Sequence, residues 1–177
     1  MSLEALIRPE TSADIEAIGE LTREAFATLA ISQHTEPFIV AALRAAGALT
    51  VSLVAELDGR LVGHIAFSPV SLADGCAGWY GLGPLSVRPA YQRQGIGSAL
   101  VRQGLAQLQA LAGKGCCLVG HPHYYRRLGF VNPPGLTLPG VPPEVFMALS
   151  FDGHWPQGTV AFHEGFLATG PQAAPRG

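Results

Sequence analysis

The residues with the clearest chemical potential form one run, Gln92-Arg93-Gln94-Gly95-Ile96-Gly97-Ser98, set between a strand-like stretch and a long helical one. Glycines at i and i+2 let backbone N–H groups approach an anion with no Cβ in the way. The free N–H groups and positive dipole end of the following helix act in the same direction. Together they make a cradle for a pyrophosphate, to which Ser98 adds a hydroxyl and Arg93 a charge. An ordinary glycine-rich strand-to-helix turn uses the same residue types. Two other phosphate motifs are excluded by residue type. A dinucleotide fingerprint needs glycine where Leu100 stands, and a P-loop needs a lysine that this run lacks.

The strand before the loop is irregular. Tyr80-Gly81-Leu82-Gly83-Pro84-Leu85 holds two glycines and a proline. Proline cannot donate to a ladder, so a bulge is expected near Pro84. Such a break frees backbone groups of Leu85 and Val87 to pair with something other than a strand; an edge strand is the plainer account. Further along, Tyr124 and Tyr125 are adjacent on a short helix, ~100° apart around its axis, so only one of them can face a given point. His34, His154 and His163 have no ligand spacing, and no metal site is assigned. His64 lies mid-strand and reads as a core histidine. Cys76, Cys116 and Cys117 make neither a disulfide framework nor a zinc spacing. Cys116 and Cys117, successive on a strand, point to opposite faces and read as buried apolar filler.

The elements that must hold these groups follow from periodicity. Residues 3–8 predict a strand, and Thr11-Ser12-Ala13-Asp14 the cap of a helix carrying Ile15, Ile18, Leu21, Ala25 and Phe26 on one face. Thr35 and Pro37 open a second helix that ends at Gly47. Strands at 49–57 and 61–70 flank Asp58-Gly59, a hairpin turn signal. Asp74-Gly75 turns into a third strand, 79–87. A helix over 96–112, a strand over 116–119, a short helix over 122–128 and strands over 145–151 and 159–163 complete the order. The expectation is one mixed α/β domain over residues 1–170, with a flexible tail at 171–177.

Composition bounds the function. The chain has 177 residues, 48% of them apolar and only 14% charged, against a usual ~25% charged. That is enough apolar content for a sizeable core, and so little charge leaves room for an apolar cleft or a homodimer contact. The formal charge is −2 and no basic run exists. Nucleic acid and anionic membranes are poor partners for such a chain. Residues 128–143 carry Pro133, Pro134, Pro139, Pro142 and Pro143, through which no membrane helix runs. The first residues lack a basic, apolar leader, so a cytoplasmic protein is expected. Ten Arg against one Lys fits a GC-rich, bacterial genome.

These residues together resemble the GNAT superfamily of N-acetyltransferases. Leu85-Ser86-Val87-Arg88-Pro89 followed by Gln92-x-x-Gly95-x-Gly97 is similar to its acetyl-CoA motif. Tyr125-Arg126-Arg127-Leu128-Gly129-Phe130 is similar to its Y-x-x-x-G-F element. Gly63-His64-Ile65-x-Phe67-Ser68-Pro69-Val70 and Gly120-His121-Pro122-x-Tyr124-Tyr125 resemble the YhbS-type branch. The resemblance spans roughly residues 4–167. It implies a mostly antiparallel sheet splayed between strands 79–87 and 116–119, flanked by helices. It implies acetyl-CoA as cofactor, its pantetheine arm paired with backbone of Leu85 and Val87 and its pyrophosphate on the amides of Arg93, Gln94, Gly95, Ile96, Gly97 and Ser98, with Ser86 and Gln92 also among the cofactor-binding residues. It implies acetyl transfer to a small-molecule or peptide amine by direct attack, with Tyr125 as the general acid for the departing thiol.

The base is less legible. Strand 79–87 holds no Asp or Glu, where many members of the superfamily place a Glu. Glu36 borders the acceptor cleft in that fold and is one candidate, although a carboxylate there also compensates the helix N-terminus. His121, at the exit of strand 116–119, is another, although it also suits a helix cap. A water relay is a third route. The missing strand carboxylate also motivates a different class of function, an acyl-CoA-binding or sensing module without turnover. A transferase for longer acyl chains is the remaining alternative.

Overall fold

Asp58 and Gly59 take φ values of 51° and 78°, as a tight two-residue turn requires. They join β2 (Val51–Leu57) to β3 (Arg60–Pro69). The computed structural model describes residues 4–27, 29 and 32–171. In it this hairpin lies inside a six-stranded sheet. β1 (Leu6–Pro9) pairs with β2, and β5 (Trp79–Val87) lies beside β3. β6 (Gly115–Val119) and β8 (Phe146–Ser150) follow, giving the order β1-β2-β3-β5-β6-β8. Every neighbour is antiparallel except β5 and β6, which are parallel.

Helices cover both faces. Strand alternation sends Leu53 and Ala55 to one side, against Leu100, Val101 and Leu105 of α3 (Ile96–Ala110). Val54 points to the other, against Ile18 and Leu21 of α1 (Ile15–Phe26) and Val40 of α2 (Glu36–Ala45). With both faces covered, β3 is buried from Leu61 through Ser68. It therefore reads as a near-continuous apolar run rather than an alternation. The expected capping chemistry closes a short 3-10 turn, Ser12–Asp14, that leads into α1 rather than capping α1 itself: the Thr11 N–H donates to Asp14 Oδ2 at 2.8 Å, and Arg8 clamps the same carboxylate at 2.7 Å.

Several bounds differ from expectation. The first strand begins at Leu6 rather than at residue 3. α3 stops at Ala110, because Ala112 already turns with φ 63°. α4 is Pro122–Arg126, two residues shorter than expected, with Gly129 at φ 94° reversing the chain beyond it. The last strand, β9 (Gly158–Ala161), does not join the main sheet. It lies between β4 (Ser71–Leu72) and β7 (Leu136–Thr137) in a separate three-stranded sheet. Strands of two residues are too short to leave a period in sequence. Nearly all of the proposed tail, residues 172–177, lies outside the described residues. Among the described residues no helix is long and apolar enough to cross a membrane.

The feature that matters most is an opening in the sheet. β5 and β6 pair only at Trp79–Gly115, Tyr80–Cys116 and Gly81–Cys117. Beyond Gly81, β5 stays with β3 as far as Val87–Gly63, while β6 stays with β8 as far as Val119–Phe146. The cause lies in β5: Leu82 opposes Phe67 and Leu85 opposes Ile65, so Gly83 and Pro84 share the single partner Ala66. This is the bulge expected at Pro84.

Candidate active site

Strand geometry fixes what β5 presents to the opening. The N–H of Arg88 donates to the Val62 carbonyl at 2.8 Å, toward β3. The N–H and C=O of one residue share a side and successive residues alternate. The backbone groups of Val87 and Leu85 therefore point away from β3, into the gap. The Val87 carbonyl already accepts a bond there from Gln92 Nε2 at 2.9 Å. Gln92 thus ties the glycine loop to the strand that feeds it.

The loop is held open by its conformation. Arg93 takes φ 63° and Gly95 φ 87°, the latter as the cap of α3. At Gly97 an added Cβ would lie 3.3 Å from Tyr124 Oη and within 4 Å of Val87 and Leu85 side chains. Tyr124 Oη is itself 3.0 Å from Ser98 Oγ. Around these groups lies a cavity of about 250 Å³, walled by Leu85, Val87, Tyr91, Gln92, Arg93 and Gly95, and closed by Gly97, Ser98 and Tyr124. Three of the expected cofactor-binding residues do not wall it. Ser86 turns its buried side chain to the opposite face, where it pairs in register with His64. Ile96 belongs to the core against Leu100. Gln94 reaches back to the Ala90 carbonyl at 3.4 Å. Gln94 and Ile96 leave only backbone groups for the loop, and the Ser86 backbone faces β3 rather than the gap.

Leu85 also borders a second cavity of about 430 Å³ deeper in the opening. Tyr125 lies on its wall, with Leu82, Gly83 and Pro84 of the bulge. The two tyrosines thus divide as their helical spacing requires, Tyr124 to the loop and Tyr125 to the deeper cavity. Tyr125 is fixed edge-on by Tyr124 at 4.9 Å and by Phe130 at 5.7 Å between ring centroids. Gly120 makes room for it, since a Cβ there would sit 2.5 Å from the Tyr125 ring. Burial, then the neighbouring Tyr124 and Cys116, push the Tyr125 phenol above the ordinary tyrosine range. It therefore carries its proton at neutral pH.

Glu36, at the start of α2, lines the same deeper cavity and accepts a bond from Ser32 Oγ at 2.5 Å. His121 does not. It precedes Pro122 as the cap of α4, is exposed, and walls neither cavity. Sequence reasoning missed Tyr91, Phe26, Ile39, Val119, Leu138, Phe162 and Phe166. These come from the ends of elements far apart in the chain, and no local spacing unites them. Cys116 and Cys117 sit in different apolar clusters on the two faces of β6, and burial raises both thiols.

A chain with this glycine loop on a helix N-terminus and this opening in its sheet has recognisable relatives. Residues 49–132 match the model of the acetyltransferase (GNAT) domain. The chain is 37% identical over 126 residues to the uncharacterised N-acetyltransferase YhbS of Escherichia coli K12, covering 71% of this chain and 72% of that one. The crystal structure of YhbS from Escherichia coli in complex with CoA superposes with a TM-score of 0.84, at 32% identity, covering 97% of this chain and 96% of that one. A GNAT family acetyltransferase from Brucella melitensis, crystallised with acetyl-CoA, superposes with a TM-score of 0.83 at 48% identity, covering 93% and 99%. The matched span, residues 49–132, includes the loop and the splayed strand that the fold places at the opening, and the chain belongs to the GNAT family of acetyltransferases.

Proposed function

We propose that the protein transfers an acetyl group from acetyl-CoA to an amine by direct attack. The observation that carries the reading is the continuity of the opening. The cradle at Gly95–Ser98 and the cavity holding Tyr125 and Glu36 share the wall residue Leu85. The residues fit the cofactor. An added Cβ at Gly97 would crowd the cradle, and the gap-facing backbone of Leu85 and Val87 offers strand-type partners to an extended amide chain. Bound there, acetyl-CoA supplies an acetyl thioester.

The chain's own groups then act as follows. The amides from Arg93 to Ser98 hold the pyrophosphate with the α3 dipole behind them. A backbone N–H of the Leu85–Val87 segment stabilises charge on the carbonyl oxygen as it develops. Glu36 takes the proton that the amine must lose. Tyr125 delivers its proton to the sulfur as the carbon–nitrogen bond forms and the carbon–sulfur bond breaks. Amine and thioester become amide and free thiol, with protons in balance. Glu36 supplies from α2 the carboxylate that β5 lacks, which favours turnover over a sensing module. A cytoplasmic location belongs to the same reading.

The test follows thiol release from acetyl-CoA over a panel of amines, with calorimetry for CoA binding alone. CoA binding with amine-dependent thiol release supports the transferase. CoA binding with no release on any amine supports the sensor instead.

A further inference from the structure

Resting on the transferase reading, the walls of the deeper cavity carry information about the acceptor. Phe26 and Ile39 enter from α1 and α2, Leu138 from the proline-rich segment, and Phe162 and Phe166 from the chain's last described turns. Phe162 and Phe166 pack with ring centroids 5.2 Å apart. Among the described residues of this wall, Glu36 is the only charged one. Its described partner is neutral, the Ser32 hydroxyl. The volume, about 430 Å³, falls within the ~300–1,000 Å³ of small-molecule sites.

We infer that the acceptor is a small primary amine on an apolar, preferably aromatic, body. Its single cationic group faces Glu36, and its body packs against Phe162, Phe166 and Ile39. The wall chemistry separates three occupants. A polyamine or amino sugar would bury further cationic or hydroxyl groups against apolar side chains that offer them no partner. A longer acyl chain would suit the apolar walls but has no use for a carboxylate. An aromatic monoamine uses both, with ring–ring contacts available in the edge-on geometries that aromatic side chains favour.

The experiment compares 2-phenylethylamine, hexylamine and 1,6-diaminohexane as acceptors with acetyl-CoA. It also titrates N-acetyl-2-phenylethylamine, the expected product, into the protein by calorimetry. We expect kcat/KM for 2-phenylethylamine to exceed that for hexylamine, and both to exceed that for 1,6-diaminohexane by about 10-fold or more, the scale of discrimination by an apolar pocket. Phe166→Ala should remove most of the advantage of the aromatic over the linear amine and weaken product binding, leaving CoA affinity unchanged. Equal or better use of the diamine overturns the inference while leaving the transferase reading in place. So does acetyl-CoA binding with no turnover of the apolar amines, or faster hexanoyl than acetyl transfer to hydrophilic amines. Failure to bind acetyl-CoA at all overturns both.

Discussion

Tyr125 and Tyr124 are neighbours in sequence with different surroundings, and they test the site one atom at a time. Tyr125→Phe keeps the ring in its place against Phe130, so CoA binding should survive. Only the hydroxyl on the deeper cavity is lost. General acids contribute about 10²–10⁴-fold, and a thiolate is already a fair leaving group, so a fall in kcat of roughly 10–100-fold is expected by single-turnover measurement. The loss should shrink with a thioester of more acidic thiol. An unchanged kcat would return Tyr125 to packing alone. Tyr124→Phe breaks the bond to Ser98 and should act on KM for acetyl-CoA more than on kcat. The two glycines also separate. Gly95 sits at φ 87°, so a β-branched residue there strains the backbone whatever it does to a ligand. Gly97 has no such restriction, and its added Cβ meets Tyr124 and the β5 side chains. Gly97→Ala is therefore the cleaner probe. It should weaken CoA binding by about tenfold, or ~1.4 kcal/mol, with little change in Tm; unchanged affinity by calorimetry would remove Gly97 from the cradle.

At the scale of elements, the face of β3 that α1 and α2 cover hides a polar cluster. Arg44 of α2 donates to Glu10 at 3.0 Å, and Ser52 Oγ donates to the same carboxylate and lies 2.8 Å from His64 Nε2. Ser52 gives its one proton to Glu10, so His64 Nε2 carries a hydrogen toward the Ser52 oxygen. Burial holds its pKa below 6.5 against the pull of Glu10. Burial pushes the Glu10 carboxyl up, but bonds from His64, Arg44 and Ser52 outweigh it and bring the pKa to about 2. Both shifts act in one direction. Below about pH 6.5 the unfolded chain binds a proton at this histidine that the folded chain refuses. Below pH 4.5 the same holds for Glu10, down to about 2. Tm should therefore fall on acidification from pH 7, first through His64 and then through Glu10. His64→Gln should flatten the upper part of that slope, and an NMR titration should find the His64 pKa below the ordinary histidine value. A Tm slope unchanged in the variant would locate the upper loss elsewhere.

The same scale shows what sequence could reveal. The Asp58-Gly59 hairpin, the bulge at Pro84 and the helix opening on the glycine loop each depend on residues adjacent in the chain, and each was legible. Glu36 was legible as a residue but not as sharing a cavity wall with Tyr125, since the meeting of α1, α2 and the β6 end around one space is a property of packing. His64 read as a core histidine and is one, although its partners Glu10 and Ser52 lie 54 and 12 positions away and left no spacing to notice. The small sheet of β4, β9 and β7 was invisible because its strands are too short to have a period.

For the molecule as a whole, the open junction between β5 and β6 divides the main sheet. One part, β1-β2-β3-β5, carries the cradle strand; the other, β6-β8, carries α4 and its tyrosines. Three register pairs join them. A ligand lying in the gap would add contacts to both parts, so CoA should stabilise the fold and do so locally. At a concentration 100 times its Kd it is worth ~2.7 kcal/mol, a rise in Tm of roughly 5–10 °C for a chain of this size. Hydrogen exchange then gives the location. The amides of Leu85 and Val87 have no partner across the gap in the sheet and should slow markedly on CoA binding, together with those of the Gly95–Ser98 turn. The amides of residues 53–56 in β2, which have strand neighbours on both sides, should change no more than the global stability requires. Protection spread evenly over both parts, with Leu85 and Val87 unremarkable, would mean that CoA binds outside the gap. The cradle would then be only the glycine-rich turn that its sequence also allows.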